Sequence, residues 1–197
     1  MRIVAATGNP GKLREFGQVL APLGFDIVPQ AELGIAETEE PHATFLENAL
    51  IKARHASRAA ALPAFADDSG ICVAALGGEP GVHSARYAAG AAPREAQDRR
   101  NNEKLVAALA GQRDRRAHYY CVIVLVRRAD DPQPVIAEGQ WHGEIVSAPR
   151  GTNGFGYDPY FYLPALGRTA AELEPPEKNA ISHRGQALRQ LALRLSE

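Results

Sequence analysis

The sequence predicts an α/β fold built on a mixed sheet, and three features carry that expectation. The chain opens on a short apolar strand, a glycine-bearing turn, a helix and a second strand, a β-α-β order. A long helical pattern over 44–60 carries a stripe of small apolar residues suited to close packing on a sheet. An unbroken apolar run at 118–127 is followed by an alternating segment at 135–146, which reads as a buried strand and its half-exposed antiparallel partner.

The opening strand, Arg2 to Ala6, runs into Thr7-Gly8-Asn9-Pro10-Gly11-Lys12, and Leu13, Phe16, Val19 and Leu20 then recur at helical spacing. A strand, a glycine-bearing turn and a helix start can aim backbone N–H groups at a phosphate. It is not a Walker A loop, because only two residues separate Gly8 from Gly11 and Leu13 follows Lys12. An ordinary strand–helix turn explains the spacing equally well. Lys12 stands out, since the first turn of a helix disfavours cations. Phe25 to Val28 makes the second strand, and the acidic segment Glu37-Thr38-Glu39-Glu40 reads as a solvated loop or a source of metal ligands.

The helix from Thr44 to about Ala60 buries Phe45, Ala49, Ala53, Ala56 and Ala60 on one stripe. Asn48, Lys52 and His55 share the other side, which is expected to be solvated unless it lines a cleft, where Lys52 could meet an anion. Leu62 to Phe65 reads as a short buried strand, followed by Ala66-Asp67-Asp68-Ser69-Gly70 and a further strand, Ile71 to Val73. Taken alone, the Asp-Asp-Ser-Gly run predicts a turn. The alternative is chemical: adjacent carboxylates suit Mg²⁺, and one of them can act as a general base.

A glycine-rich loop, Gly77 to Gly81, leads to Ser84-Ala85-Arg86-Tyr87. Pro93 opens a helix that is polar, and expected to be exposed, through Asn102, and apolar at Leu105, Val106 and Leu109. After the strand pair, His142 reads as a surface residue. Gly154-Phe155-Gly156-Tyr157-Asp158-Pro159 mixes glycines and aromatics, which fits either a packed turn or a face on which a base stacks. Lys178 and Ser182-His183-Arg184-Gly185 precede the closing helix, with Ser182 as its N-cap and Ala187, Leu188, Leu191 and Leu195 docking it.

At 197 residues, with 45% hydrophobic and 23% charged residues, the chain is expected to form one domain, residues 1–197, around a sizeable core. A net charge of −1 supplies no general attraction to nucleic acid or to an anionic membrane. Two cysteines, Cys72 and Cys121, are too few for a disulfide framework, and no apolar run approaches the ~20 residues of a membrane helix. A cytoplasmic protein is expected.

Taken in order, Thr7-Gly8-Asn9 with Lys12, Phe45-Leu46-Glu47-Asn48-Ala49, Ala66 to Gly70, Ser84 to Tyr87, Gly154 to Pro159 and Ser182-His183-Arg184 carry a resemblance across nearly the whole chain. The sequence resembles the noncanonical purine nucleoside triphosphate pyrophosphatases, also called inosine or xanthosine triphosphatases. The resemblance implies an elongated mixed sheet flanked by helices, two lobes with an active-site cleft between them, and a homodimer. It implies a house-cleaning hydrolase that converts ITP, dITP or XTP to the monophosphate and pyrophosphate with Mg²⁺.

By the same resemblance, the segment Thr7, Gly8, Asn9, Pro10, Gly11 and Lys12, with Lys52, would hold the triphosphate. Glu40 and Asp68 would bind the metal, and Asp68 would accept the proton of the attacking water. Phe155 would pack on the purine, with Gly156, Tyr157 and Asp158 beside it. Ser69, Lys178, His183 and Arg184 would add polar contacts, with Arg184 favouring a 6-keto base. Asp67 is left between two roles, completing the metal environment or orienting Asp68. Two departures, Ala88-Ala89-Gly90 after the Ser84 motif and Asn153 before Gly154, bear on loop shape only. A nucleotide sensor without turnover, a relative acting on modified pyrimidine triphosphates and a structural α/β domain are the competing readings. A serine hydrolase is not, because no Gly-x-Ser-x-Gly elbow is present.

Overall fold

A computed structural model describes residues 1–90 and 92–196. In chain order the strands are β1 (Arg2–Ala5), β2 (Asp26–Pro29), β3 (Ala64–Val73), β4 (Arg116–Val126), β5 (Val135–Ile145), β6 (Phe161–Leu163) and β7 (Arg168–Thr169). The α-helices are α1 (Pro10–Leu20), α2 (Phe45–Ala60), α3 (Arg94–Ala108), α4 (Pro175–Ile181) and α5 (His183–Ser196). The strands form one seven-stranded sheet in the order β2-β1-β3-β4-β5-β6-β7. It is mixed, as expected: β1 runs parallel to β2 and β3, whereas β6 is antiparallel to β5 and β7.

The chain divides into two compact units, each with its own core. The first comprises 1–68, 121–139 and 183–197. Its core joins Ile3 and Ala5 of β1 to Phe16 and Leu20 of α1, Phe65, Cys121 and Ile123, and Ala187, Leu188 and Leu191 of α5. Phe16 meets Phe65 edge-on at 4.9 Å between centroids, a favoured aromatic geometry. The second comprises 69–120 and 140–182. There Tyr119, Trp141 and Phe161 form an aromatic nucleus with Leu105 of α3, Leu109 at the C-cap of that helix, Leu163 and Leu173.

Helix α2 forms where its periodicity placed it, with Thr44 as N-cap accepting from the Glu47 N–H. Strand β5 alternates as expected, exposing Glu138, Gln140, His142 and Glu144. Three expectations fail. The polar start of α3 is not exposed through Asn102, because Asn101 and Asn102 are buried. Residues 66–70 are not a turn, because β3 is a single ten-residue strand that carries Asp67 and Asp68 in its interior. The Asn48–Lys52 side of α2 is not solvated either. Asn48 is buried, pairing with both main-chain groups of His42, so the loop after the acidic segment folds over that face.

The turn between β4 and β5 supplies a first prediction. Asp131 is buried and accepts the N–H groups of Arg127 and Gln133, both at 2.9 Å, and the Arg127 guanidinium at 3.2 Å. Those donors, the Arg127 N–H foremost, hold its carboxyl below the usual carboxylate range. Its contribution to stability is therefore present above the ordinary carboxylate pKa of ~4 and is lost as pH falls below it. Asp131→Ala should lower the Tm at pH 7 without changing kcat, and the difference from wild type should vanish in strong acid. An unchanged Tm at pH 7 would exclude this anchoring role.

Candidate active site

The geometry of the first unit follows from where β1 stops. Its pairing with β3 ends at Ala5 and Phe65, with the Ala6 N–H donating to the Phe65 carbonyl. β3 continues through Asp67 and Asp68 beyond that point, next to the turn that starts α1. Carboxyl ends of parallel strands are the usual ligand-binding edge of α/β sheets. In that turn Asn9 is the N-cap. Its carboxamide oxygen accepts the Gly11 and Lys12 N–H groups at 2.9 and 3.4 Å, its own N–H donates to Thr7 Oγ1, and Pro10 takes the first helical position. The acidic segment reaches the same place, since a Cβ on Gly8 would collide with the Glu37 carboxylate.

Lys12 sits against the local helix field because Asp67 compensates it. Its ammonium lies 2.9 Å from Asp67 Oδ2. The same oxygen lies 3.4 Å from Arg184 Nε, and Arg184 Nη1 donates to Glu15 at 2.7 Å. The Cys121 thiol lies 4.0 Å from that oxygen, and burial pushes the thiol up to about 12. Full burial would raise the Asp67 carboxyl, but Lys12, Arg184 and Lys52 together hold it well below the usual range. Asp67 is the charged hub of this cluster.

Asp68 is in the opposite condition. Burial pushes its carboxyl up to about 6, with Lys52 opposing the shift and Glu40 adding to it. The Lys52 ammonium lies 3.7 Å from Asp68 Oδ1 and 2.5 Å from Glu40 Oε1. Burial would lower the Lys52 ammonium, but Asp68, Asp67 and Glu40 outweigh it and raise it. Two hard carboxylates thus converge on one cationic position, and one of them, Asp68, has the raised pKa of a proton acceptor. Among the described residues, no group of three or more His, Cys, Asp or Glu side chains could hold a metal ion.

Helix α5 brings Arg184 to this cluster because β5 has a glycine at 139. A Cβ there would collide with the His183 carbonyl, with the Ala187 nitrogen 2.9 Å away. His183 and Arg184 are both buried. Two donor atoms of Arg184 are taken by Asp67 and Glu15.

The second unit holds the aromatic loop. Phe155 is half-buried, with the Lys178 ammonium 5.1 Å and the Arg94 guanidinium 4.9 Å from its ring centroid. Asp158 organises the loop. Its buried carboxylate accepts from the Phe155 N–H at 2.8 Å, Lys178 Nζ at 2.5 Å and the Tyr119 hydroxyl at 3.3 Å. Gly154 has φ +77°, and a Cβ on it would enter that carboxylate, so only glycine fits there. Tyr157 is buried and donates to the Ser84 carbonyl at 2.7 Å, which makes it a pin between loops. Ser69 lies next to Asp68 on β3.

The first unit therefore gathers the turn from Thr7 to Lys12 with Glu40, Lys52, Asp68 and Arg184. The second gathers Phe155, Gly156, Tyr157, Asp158 and Lys178. Sequence reasoning missed Glu15, three residues beyond Lys12 on α1, and the polar residues of α3. Their spacing was the available signal.

Residues 3–193 match the profile of the Ham1 family. A protein of Ralstonia nicotianae named dITP/XTP pyrophosphatase is 68% identical over 194 residues, which cover 98% of this chain and 96% of that one. One of the same name from Burkholderia pseudomallei is 65% identical, covering 100% and 94%. Among solved structures, a HAM1 protein from Coxiella burnetii superposes with a TM-score of 0.93 at 50% identity, covering 100% of this chain and 98% of that one. The Ham1 protein of Staphylococcus aureus gives 0.89 at 38% identity, with the same coverage.

Proposed function

The chain belongs to the Ham1 family, and from that premise we propose that it hydrolyses dITP, ITP and XTP to the monophosphate and pyrophosphate. One observation carries the chemistry: Asp68, a buried carboxyl pushed up to about 6, set beside Lys52 and Glu40. The relatives' shared name supplies the substrate class.

Asp68 accepts a proton from water as the oxygen bonds the α-phosphorus. The bond from that phosphorus to the α,β-bridging oxygen breaks, and pyrophosphate leaves with the electron pair. Lys12 and Lys52 hold the triphosphate, their ammonium groups only partly shielded by Asp67, Asp68 and Glu40. Glu40 and Asp68 fit Mg²⁺, because two carboxylates suffice when phosphate oxygens and water complete the shell. When bound, the ion neutralises charge on the phosphates. In the second unit Phe155 supplies a face for the purine, and Lys178 adds a donor near the ring. Donors facing a 6-keto group leave adenine, with its 6-amino group, badly paired. The whole chain, 1–197, would act as one catalytic domain. A homodimer working in the cytoplasm, where nucleoside triphosphates are held, completes the proposal.

The test offers purified protein with Mg²⁺ the substrates ITP, XTP, dITP, ATP, GTP and dUTP, measuring pyrophosphate and orthophosphate separately. Pyrophosphate from the first three, abolished by EDTA, is expected. Orthophosphate as the direct product would overturn attack at the α-phosphorus. Binding without release would establish a sensor, and preference for dUTP a pyrimidine enzyme.

A further inference from the structure

The polar first turns of α3 look like a solvated face, yet one stripe of them is committed. Arg94, Asp98 and Asn102 are spaced i, i+4 and i+8 and share a side of the helix. All three meet the segment that carries Phe155. Arg94 lies over the Phe155 ring, Asp98 Oδ2 accepts the Gly156 N–H at 3.1 Å, and Asn102 Nδ2 donates to the Gly156 carbonyl at 2.9 Å. Asn102 Nδ2 also donates to the Asp98 main-chain oxygen at 2.9 Å. Both of its partners are acceptors, which fixes which end of the amide faces the loop.

Asn102 is buried, and among the described residues its Oδ1 finds no hydrogen-bond partner. Burying an amide with an unsatisfied acceptor costs stability, so packing alone gives no reason for asparagine at this position. Holding Gly156 does. The neighbouring stripe is committed to a different loop. Gln97 and Asn101 bind the Ala88 main chain, and Asn101 also binds the Ser84 and Ala85 carbonyls.

We propose that Asp98 and Asn102 are positioning residues for the base. By holding the Gly156 N–H and C=O, they set the planes of the two peptides on either side of its Cα, the first of which joins it to Phe155, and with that peptide the plane of the Phe155 ring. Stacking on an aromatic face depends on that plane, and small displacements of a positioning group are costly. α3 therefore determines base recognition without touching substrate. The proposal rests on the purine-nucleotide function given above.

Asp98→Ala removes the acceptor for the Gly156 N–H, while Asp98→Asn keeps an oxygen able to accept. Asp98→Ala should raise KM for ITP by about tenfold with kcat within about twofold, and should narrow the preference for ITP over ATP. Asp98→Asn should restore most of the affinity. Asn102→Asp, which cannot donate to the carbonyl, should behave like Asp98→Ala. In parallel, hydrogen exchange at the Gly156 amide of ¹⁵N-labelled protein should accelerate in Asp98→Ala and not in Asp98→Asn. Wild-type KM in both Asp98→Ala and Asn102→Asp would overturn the proposal, as would unchanged Gly156 exchange in Asp98→Ala. Should Asn102→Asp fail to fold, the half-buried Asp98 variants decide alone. A wild-type protein inert towards ITP and XTP would instead overturn the proposed function, and the exchange measurement would still decide the clamp.

Discussion

Replacing Asp68 by asparagine should lower kcat for ITP by roughly 10²–10⁴-fold, the usual contribution of a positioned base. Pyrophosphate release under saturating ITP and Mg²⁺ measures it, and wild-type kcat would remove Asp68 as the base. The same substitution should leave the metal-free fold intact or firmer. The Asp68 carboxyl is raised from 3.8 to about 6, with burial the leading cause. Such a group is harder to ionise in the folded chain than in the unfolded one. Stability from it falls as pH rises across that interval and stays lower above it. A neutral amide of the same shape removes the penalty, so the Tm of Asp68→Asn at pH 7 should equal or exceed that of wild type. Loss of activity with gain of stability is the signature of a group kept for chemistry. A collapse in Tm would reveal a structural carboxylate instead.

The parts of the fold legible in the sequence are those whose cause is local. α2 and β5 follow from periodicity, which nearby residues decide. Residues 66–70 misled because two carboxylates, a serine and a glycine are turn chemistry unless something distant neutralises them. Here Lys12, Lys52 and Arg184 do so, the last of them 117 residues away from Asp67. The Asn48–Lys52 face and the polar start of α3 misled for the same reason. Each looks solvated until a loop from elsewhere in the chain, at His42 or Gly156, takes up its donors and acceptors. The candidate site was readable as an ordered set of motifs. What held each motif in place was not, since Glu15, Asp98 and Asn102 act through other residues.

Asp67→Asn, one residue away and identical in chemistry, should have the opposite effect on stability. The Asp67 side chain is fully buried, and its carboxylate balances Lys12 and Arg184, whose side chains are 16% and 4% exposed. Breaking one side of a buried ion pair costs about 3–5 kcal/mol. For a chain of this size that is a fall in Tm of roughly 10 °C. KM for ITP should also rise, because Lys12 loses the contact that holds it against the unfavourable field of the α1 N-terminus. Adding Lys12→Met to Asp67→Asn should recover part of the lost Tm, since it removes a cation left without its partner. A double-mutant cycle measures that coupling. An unchanged Tm in Asp67→Asn would mean that Glu15 alone balances Arg184 and that Lys12 needs no buried partner. The paired substitutions remove the same charge from neighbouring positions of one strand. A difference in the sign of their stability effects can therefore come only from the surroundings: cations that outweigh burial at Asp67, and burial that prevails at Asp68.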